Sequence, residues 1–189
     1  MRRQPLKHVM MLCLAALASA GATAQTSGFL CCNMRTDGAW ISDINYLDAG
    51  KTMIPAGTPL TMNGFGKNRV HVVINGRKQD IGNDYSRSLG LDAFAKRYIV
   101  DQDPLEKLRT YPKKIQDAIG TARLTKGMTR EQVIMAVGYP VSDENPSLES
   151  TTWRYWLNSF AEFDAIFDDK GVLTRIEADA GIRPQVVAE

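Results

Sequence analysis

The sequence has little histidine and little cysteine, with two histidines and three cysteines among 189 residues. It also lacks the G-x-S-x-G pattern of hydrolase nucleophiles, the H-E-x-x-H pattern of zinc proteases and a glycine-rich phosphate loop that leads into a helix. His71, which is the histidine that follows residue 24, lies in a strand-like run, where a structural role is far commoner than a catalytic one. The sequence therefore predicts a non-catalytic protein without a metal site or a cofactor.

Long hydrophobic runs are absent beyond the N-terminus. There, the basic stretch 1–7 precedes the apolar run 9–18, and Ala22-Thr23-Ala24 has the small residues of a signal-peptidase site. We expect residues 1–24 to be a signal peptide that is removed after Ala24, because the apolar run is shorter than the about 20 residues that cross a bilayer. An uncleaved anchor is the alternative. The predicted location is the periplasm or the periplasmic face of the outer membrane, with no later transmembrane segment.

An excess of positive charge is also missing from the part that follows the predicted signal peptide. The full chain has 23 basic and 21 acidic residues, a net charge of +2. Arg2, Arg3 and Lys7 lie within the first 24 residues, which hold no acidic residue, so 20 basic and 21 acidic residues remain and the net charge becomes −1. This balance argues against a nucleic acid as partner.

Two adjacent cysteines, Cys31 and Cys32, follow the predicted signal peptide. A lipid anchor is not predicted, because Leu30 precedes Cys31 where a lipoprotein needs a small residue. Adjacent cysteines rarely bridge each other, since their Cα atoms are only about 3.8 Å apart, below the usual disulfide range. Three interpretations stay open: a redox pair, a bridge to another chain and passive thiols, of which the last is favoured.

The segment 33–100 has the pattern of a small β-rich domain that ends in a helix. Turn residues punctuate it, and Asn75-Gly76 between two strand-like runs is the strongest signal for a hairpin. Apolar residues at helical spacing from Leu91 predict a helix over the last part. The string "MIPAGTPL" with the hairpin that follows it resembles bacterial SH3-type domains.

The segment 104–180 predicts helices followed by three antiparallel strands. Thr129 and Gln132 form a capping-box pattern for a helix over 130–137, and Pro112 interrupts an earlier helical region. Alternating apolar residues and a tight turn at 169–171 indicate three consecutive strands. We therefore expect an α+β fold class: a small SH3-like domain, then helices packed on a three-stranded antiparallel sheet, with a loose tail from Ile182.

The strings "GMTREQVIMAVGYP", "TWRYW" and "FDDKGVLTRIE" resemble the SmpA/OmlA family, the domain of the outer-membrane assembly factor BamE. The matching positions are Gly127, Met128, Thr129, Gly138, Pro140, Trp153, Tyr155, Phe167, Asp168, Gly171 and Val172. The resemblance covers residues 120–178 and implies two helices on a three-stranded sheet, with a non-catalytic protein-binding role at the outer membrane. A similar layout occurs in β-lactamase inhibitor proteins.

Aromatic residues are concentrated between Trp153 and Phe163. Trp153 and Tyr155 share one face of the first predicted strand and are expected in the core. Trp156 lies on the opposite face with Arg154, and an exposed tryptophan beside arginine is typical of a binding hot spot. Arg154, Trp156 and Phe160 are therefore the predicted interface. The alternative, which we favour slightly, is that this face packs against the N-terminal half.

The sequence as a whole favours an exported, non-catalytic envelope protein that binds another protein, in outer membrane protein assembly or envelope integrity. Two alternatives stay open: an SH3-like module that binds peptidoglycan, and a secreted inhibitor that binds an enzyme. Retention on purified cell-wall sacculi, or copurification with a soluble hydrolase, distinguishes these two from the first.

Overall fold

The computed structural model describes residues 26–189. The predicted signal peptide and its cleavage after Ala24 lie outside these residues. The elements in chain order are β1 (Thr26–Leu30), β2 (Met34–Thr36), β3 (Trp40–Ser42), β4 (Thr52–Ile54), β5 (Pro59–Phe65), β6 (Arg69–Ile74), β7 (Arg77–Gly82), α1 (Leu91–Tyr98), β8 (Ile99–Val100), α2 (Pro104–Leu108), α3 (Lys113–Gly120), α4 (Arg130–Val137), β9 (Thr152–Asn158), β10 (Ala161–Phe167), β11 (Leu173–Ala178) and α5 (Arg183–Val186). None of the described helices is long and apolar enough to cross a membrane.

The predicted fold class is wrong. Of the described residues, 36% lie in strands and 20% in helices, and the largest element is a curled eight-stranded sheet in the order β4-β2-β3-β7-β6-β5-β1-β8. β3 pairs with β7 in parallel, so the sheet is mixed. The expected SH3-like domain followed by helices on a three-stranded sheet is replaced by a mostly β protein with two sheets. Strands of two or three residues, such as β8 and β3, are too short to show the alternation from which strands are predicted.

The hairpin of β6 and β7 turns at Asn75 and Gly76, as the sequence predicts. Both residues have positive φ, 51° and 74°, which the tight turn between twisted strands requires. The alternation of the ladder buries Val70, Val72 and Ile74 on one face. Helix α1 packs against this face of the sheet and completes the first hydrophobic core, to which it contributes Phe94, Ala95 and Tyr98.

The second sheet has the order β11-β10-β9 and is antiparallel throughout. Its inner face shares a hydrophobic core with helices α3 and α4, and the central side chain, Trp153, is fully buried. Trp153 contacts the Phe167 ring edge-on with centroids 4.7 Å apart, and Tyr155 stacks on Phe163 at 5.3 Å. Such aromatic pairs add to the stabilisation from buried area.

The last residues are not loose, which corrects the expectation for the tail. Helix α5 buries Val186, whose carbonyl accepts a hydrogen bond from the Leu124 amide at 2.8 Å. The Ala188 amide donates in turn to the Leu124 carbonyl at 2.8 Å, and Val187 forms a parallel bridge with Leu124. The tail was misjudged because its docking depends on a distant segment rather than on a local pattern.

Two buried asparagines join the halves of the molecule. Asn33 Nδ2 donates to the carbonyls of Ile119 at 2.6 Å and Ala136 at 3.1 Å, and its Oδ1 accepts from the Ala56 amide at 2.9 Å. Asn45 Nδ2 donates to the Val137 carbonyl at 2.9 Å. The bonds to Ala136 and Val137 satisfy carbonyls at the C-terminal end of α4 that have no partner within the helix, whereas the Ile119 carbonyl at the end of α3 also accepts from the Ala122 amide at 2.9 Å.

Gly138 ends helix α4 against the first half of the chain. Its φ of 88° is one that other residues rarely adopt, and a Cβ there would lie 3.2 Å from Met34 Sδ and 3.3 Å from Asn45 Nδ2. The glycine therefore serves two purposes, since it ends the helix and allows the close approach of the asparagine.

Helix α4 begins with the predicted capping box. The Gln132 amide donates to Thr129 Oγ1 at 3.3 Å, and the Thr129 amide donates to Gln132 Oε1 at 2.9 Å. Replacing Thr129 by alanine is expected to lower the free energy of unfolding by about 1 kcal/mol, because one amide of the first turn loses its acceptor. Urea denaturation measures this loss. Thr129→Ser, which keeps the hydroxyl, is the matched control, and equal stability of the two variants would contradict the cap.

Candidate functional site

Four apolar or aromatic side chains, three of them exposed, lie where the two halves meet, and we call them the aromatic surface: Tyr46, Leu47, Tyr85 and Phe160. Phe160 is 98% exposed, Tyr85 43% and Leu47 39%, while Tyr46 is half-buried. A group of large exposed apolar side chains is uncommon on the surface of a soluble protein and often marks a binding site. The group is therefore a candidate binding site.

The turn between β9 and β10 holds Phe160 in the solvent. The Phe160 amide donates to Asn158 Oδ1 at 2.8 Å, which closes a local turn around Ser159. Because the turn is anchored by the strands on both sides, the phenyl ring is presented on a fixed support. A rigid aromatic side chain loses little conformational entropy when a partner covers it.

Loops of the first half place the other three side chains beside this turn. The Leu47 amide donates to the Leu157 carbonyl at 2.7 Å, which docks the loop after β3 on the end of β9. The Tyr46 and Tyr85 rings are 6.4 Å apart, and the Tyr46 hydroxyl hydrogen-bonds Ser159. Partial burial raises the pKa of Tyr46, with a further contribution from the neighbouring Tyr85. The Tyr46 phenol is therefore protonated at neutral pH and presents its hydroxyl group beside apolar rings.

A buried carboxylate supports the Tyr85 loop from below. Asp43 is 1% exposed and accepts hydrogen bonds from the amides of Asp84 and Tyr85 at 3.1–3.2 Å. Burial raises its pKa to about 6, although bonds from the Tyr85 amide, the Ser86 side chain and the Asp84 amide act in the opposite direction. This carboxylate has its acceptor sites filled by the loop, so it is a positioning group rather than a reactive one.

The structure brings the predicted interface residues only partly together. Arg154 is exposed, but its guanidinium is paired with Asp164 at 3.2 Å and Glu162 at 3.7 Å. Trp156 is half-buried, and its indole Nε1 donates to both oxygens of Glu144 at 2.8–2.9 Å. Phe160 alone of the three is freely exposed. The positive charge of Arg154 is thus paired with carboxylates of the same sheet. Arg154 is therefore a weaker candidate for binding a partner than the sequence suggests.

The outer face of the second sheet is open, which corrects the preference for packing against the N-terminal half. The face carries exposed charged residues on all three strands, namely Arg154, Glu162, Arg175 and Glu177. The loop 141–150 covers only its edge at β9, where Asn145 bonds the amide and carbonyl of Arg154. The same loop reaches the aromatic surface, because the Asp143 amide donates to the Tyr85 carbonyl at 3.3 Å.

Cys31 and Cys32 form a disulfide with each other, where the sequence favoured passive thiols and left an interchain bridge open. The chain bends at both residues between β1 and β2. Cys32 is fully buried, whereas Cys31 is 9% exposed and lines a cleft of about 470 Å³ between the two halves. The expectation that the two sulfurs do not bond to each other is therefore wrong.

His71 lies on β6, where its Nδ1 is 2.6 Å from Asp80 Oδ1 on the neighbouring strand. This cross-strand pair is half-exposed and has no nucleophile beside it among its described contacts. Within residues 26–189, no three His, Cys, Asp or Glu side chains approach closely enough to hold a metal ion.

Comparison of the chain with protein-family models, with curated proteins and with solved structures finds no match. The candidate site therefore rests on its own geometry. Of the aromatic surface, sequence reasoning found Phe160 and missed Tyr46, Leu47 and Tyr85. These three residues lie in turn-rich loops. An aromatic residue in such a loop is the signal by which Tyr46 and Tyr85 could have been identified from the sequence.

Proposed function

We propose that the protein is an exported, non-catalytic component of the cell envelope that binds another protein through the aromatic surface. The observation that carries the proposal is the 98% exposure of Phe160 beside Tyr46, Leu47 and Tyr85. Tyrosine and other aromatic side chains on fixed supports are the residues that dominate the binding energy of protein interfaces. The resemblance of residues 120–178 to the SmpA/OmlA family supports the envelope as its place and a role in assembly or integrity of the outer membrane.

The contacts within the surface suit a protein partner. Apolar rings and Leu47 supply the desolvated centre, and the hydroxyls of Tyr46 and Tyr85 supply polar groups at its margin. Asp48 and Lys51 pair at 3.4 Å beside Tyr46, and the Lys51 ammonium lies 5.9 Å from the Tyr46 ring centroid. An apolar centre with a polar rim is the usual anatomy of a protein–protein interface.

Site-specific crosslinking in cells tests this proposal. A photoreactive phenylalanine analogue replaces Phe160 in the full chain, and a second strain carries it at Phe65. Phe65 is the matched control, because it is also exposed, at 44%, but lies at the end of β5 outside the aromatic surface. We expect one defined envelope protein to be captured at position 160 and not at position 65. Capture of the same proteins at both positions, or of none at position 160, contradicts the proposal.

A binding measurement with the captured protein gives the expected magnitude. Phe160→Ala is expected to weaken the complex about 30-fold, the effect of losing a hot-spot side chain of about 2 kcal/mol. Because the ring is almost fully exposed, the free energy of unfolding is expected to stay unchanged, which urea denaturation checks. Phe65→Ala serves as the control, and an equal loss of affinity in both variants would overturn the assignment of the surface.

Each of the other functional interpretations predicts a different experimental result. Specific retention of the folded full chain on purified sacculi would favour a peptidoglycan-binding module and contradict the protein partner. Copurification with a soluble hydrolase whose activity falls on binding would favour an inhibitor. Turnover of a substrate by the purified chain would contradict the non-catalytic role.

A further inference from the structure

One cysteine of the disulfide, Cys31, lines a cleft between the two halves of the molecule. The cleft has a volume of about 470 Å³, and the side chains around it include Lys107, Arg130, Met135, Tyr139 and Trp153. Cys31 is the member of the pair that contributes to the lining, whereas Cys32 is 0% exposed. Cys31 therefore borders the space that a small molecule or a narrow protein segment would occupy, whereas Cys32 has no exposed surface.

The backbone around the two cysteines is held on both sides. The Cys31 amide donates to the Tyr98 carbonyl at 2.9 Å, and the Leu30 amide donates to the Thr58 carbonyl at 2.9 Å. Beyond the pair, the Asn33 amide donates to the Met135 carbonyl at 3.0 Å. Because these bonds do not involve the sulfurs, the segment has anchors that remain when the disulfide opens. The difference in access between the two cysteines is therefore expected to persist in the reduced protein.

We propose that Cys31–Cys32 is a thiol–disulfide exchange site that accepts electrons from a dithiol entering the cleft. A thiolate of the dithiol attacks Cys31 Sγ, the bond between the two cysteines breaks, and Cys32 leaves as a thiolate that takes a proton. The second thiol of the dithiol then attacks its own sulfur in the mixed disulfide and releases Cys31 as a thiol. Two electrons and two protons pass to the cysteine pair, and the dithiol becomes a disulfide.

The position of the pair gives this exchange a structural consequence. Asn33, which follows Cys32, bonds the carbonyls of Ile119 and Ala136 and the amide of Ala56. Opening the disulfide removes the covalent link between the side chains of Cys31 and Cys32. These residues come directly before Asn33, which bonds the second half of the molecule. The exchange site shares no residue with the aromatic surface, so it does not depend on a partner bound there.

Single-cysteine variants test which sulfur is open to attack. All variants of the full chain carry Cys13→Ser, since that thiol lies outside the described residues and would add to the count. The rate of reaction with a coloured aromatic disulfide reagent is measured in folded Cys32→Ser, which retains Cys31, and in folded Cys31→Ser, which retains Cys32. We expect Cys31 to react at least about tenfold faster, because thiol reactivity follows exposure. Equal rates, or a faster Cys32, would overturn the proposal.

Reduction of the intact pair supplies the second measurement. The Cys13→Ser chain is treated with dithiothreitol without denaturant, and free thiols are alkylated and counted by mass spectrometry. We expect no thiol before treatment and two after it, at a rate proportional to the dithiol concentration. A rate that does not depend on dithiol concentration and equals the rate of unfolding means that the folded protein does not exchange, and it contradicts the site. Two free thiols before treatment would contradict it as well.

Discussion

Replacing Asn33 by alanine is expected to lower the free energy of unfolding by about 4 kcal/mol, which is a large part of the stability of an ordinary domain. The side chain is 4% exposed and makes three hydrogen bonds, to the carbonyls of Ile119 and Ala136 and from the amide of Ala56. Alanine removes all three and leaves the partner groups buried. The Ile119 carbonyl keeps the Ala122 amide as a donor at 2.9 Å, but the Ala136 carbonyl and the Ala56 amide are left without their partner. A buried polar group without a partner costs about 1–3 kcal/mol, so two of them account for the size of the effect.

Urea denaturation followed by tryptophan fluorescence measures this effect. Gln185→Ala is the control, because it removes an exposed amide from helix α5 and is expected to change stability by less than about 0.5 kcal/mol. Asn33→Asp is a second test. It keeps the volume and the acceptor for the Ala56 amide but places a carboxylate oxygen against two carbonyls. We expect it to be no more stable than the alanine variant at neutral pH, and near-normal stability of either variant would contradict the role of Asn33.

Asn33 also illustrates what the sequence does not reveal. Its partners lie far along the chain, in the loop after β4 and at the ends of α3 and α4. An asparagine next to two cysteines has no local pattern that distinguishes a buried residue from a turn residue. The junction between the halves is formed by contacts of this kind, and therefore it could not be predicted.

Local signals predicted the elements that depend on local interactions. The Thr129 capping box, the glycine at 138 and Pro140 together placed α4 correctly, and Asn75-Gly76 placed the β6–β7 hairpin. Each of these elements is determined by residues that are neighbours in the sequence. The same holds for the break between α2 and α3, which lies at Pro112.

The fold class was predicted wrongly because it depends on pairing between segments that are distant in the sequence. The parallel pairing of Trp40–Ser42 with Asp80–Gly82 joins segments that are far apart in sequence, and the two-residue strand β8 pairs with β1 across the whole first half. Neither the pairing nor its direction is encoded in a short window of residues. The sequence therefore predicted a small SH3-like domain followed by helices on a three-stranded sheet, where the structure has an eight-stranded sheet and a second sheet of three strands.

Of the four residues of the candidate site, only Phe160 was predicted from the sequence. Phe160 was found because it lies in a sequence dense in aromatic residues, next to a strand whose alternation assigns a buried face. Tyr46 and Tyr85 lie in separate loops, and only the folding of the first half places their rings 6.4 Å apart beside the β9–β10 turn. A site assembled from three loops is visible only in three dimensions.

The stability of the protein is expected to fall as the pH rises from about 4 to above 6, through the buried carboxyl group of Asp43. Burial raises the pKa of Asp43 to about 6 from an ordinary value of 3.8, and the neighbouring Asp84 adds to the increase. Below pH 4 the group is protonated in both the folded and the unfolded chain and has no effect. Between the two values the folded chain holds a proton that the unfolded chain has lost, so the free energy of unfolding decreases with pH.

The size of this decrease follows from the pKa difference. This pKa difference corresponds to about 3 kcal/mol of unfolding free energy, none of which is lost well below pH 4 and all of which is lost well above pH 6. Asp37 acts in the opposite sense, because amide hydrogen bonds from Ala39 and Trp40 lower its pKa, and its contribution is lost as the pH falls. The total pH dependence therefore mixes several groups, and a comparison between variants is needed to isolate Asp43.

Asp43→Asn supplies that comparison, since asparagine has the same shape and does not titrate. Its stability at a single pH is less informative, because the amide group meets the amides of Asp84 and Tyr85 and loses part of their hydrogen bonding. The difference in unfolding free energy between the wild type and Asp43→Asn, measured in urea from pH 4 to 7, removes the groups that the two proteins share. We expect this difference to shift against the wild type by about 3 kcal/mol as the pH rises. A difference that stays constant over this range would mean that Asp43 ionises as readily in the folded chain as in the unfolded one, and the loop that carries Tyr85 would then not rest on a carboxylate shielded from water.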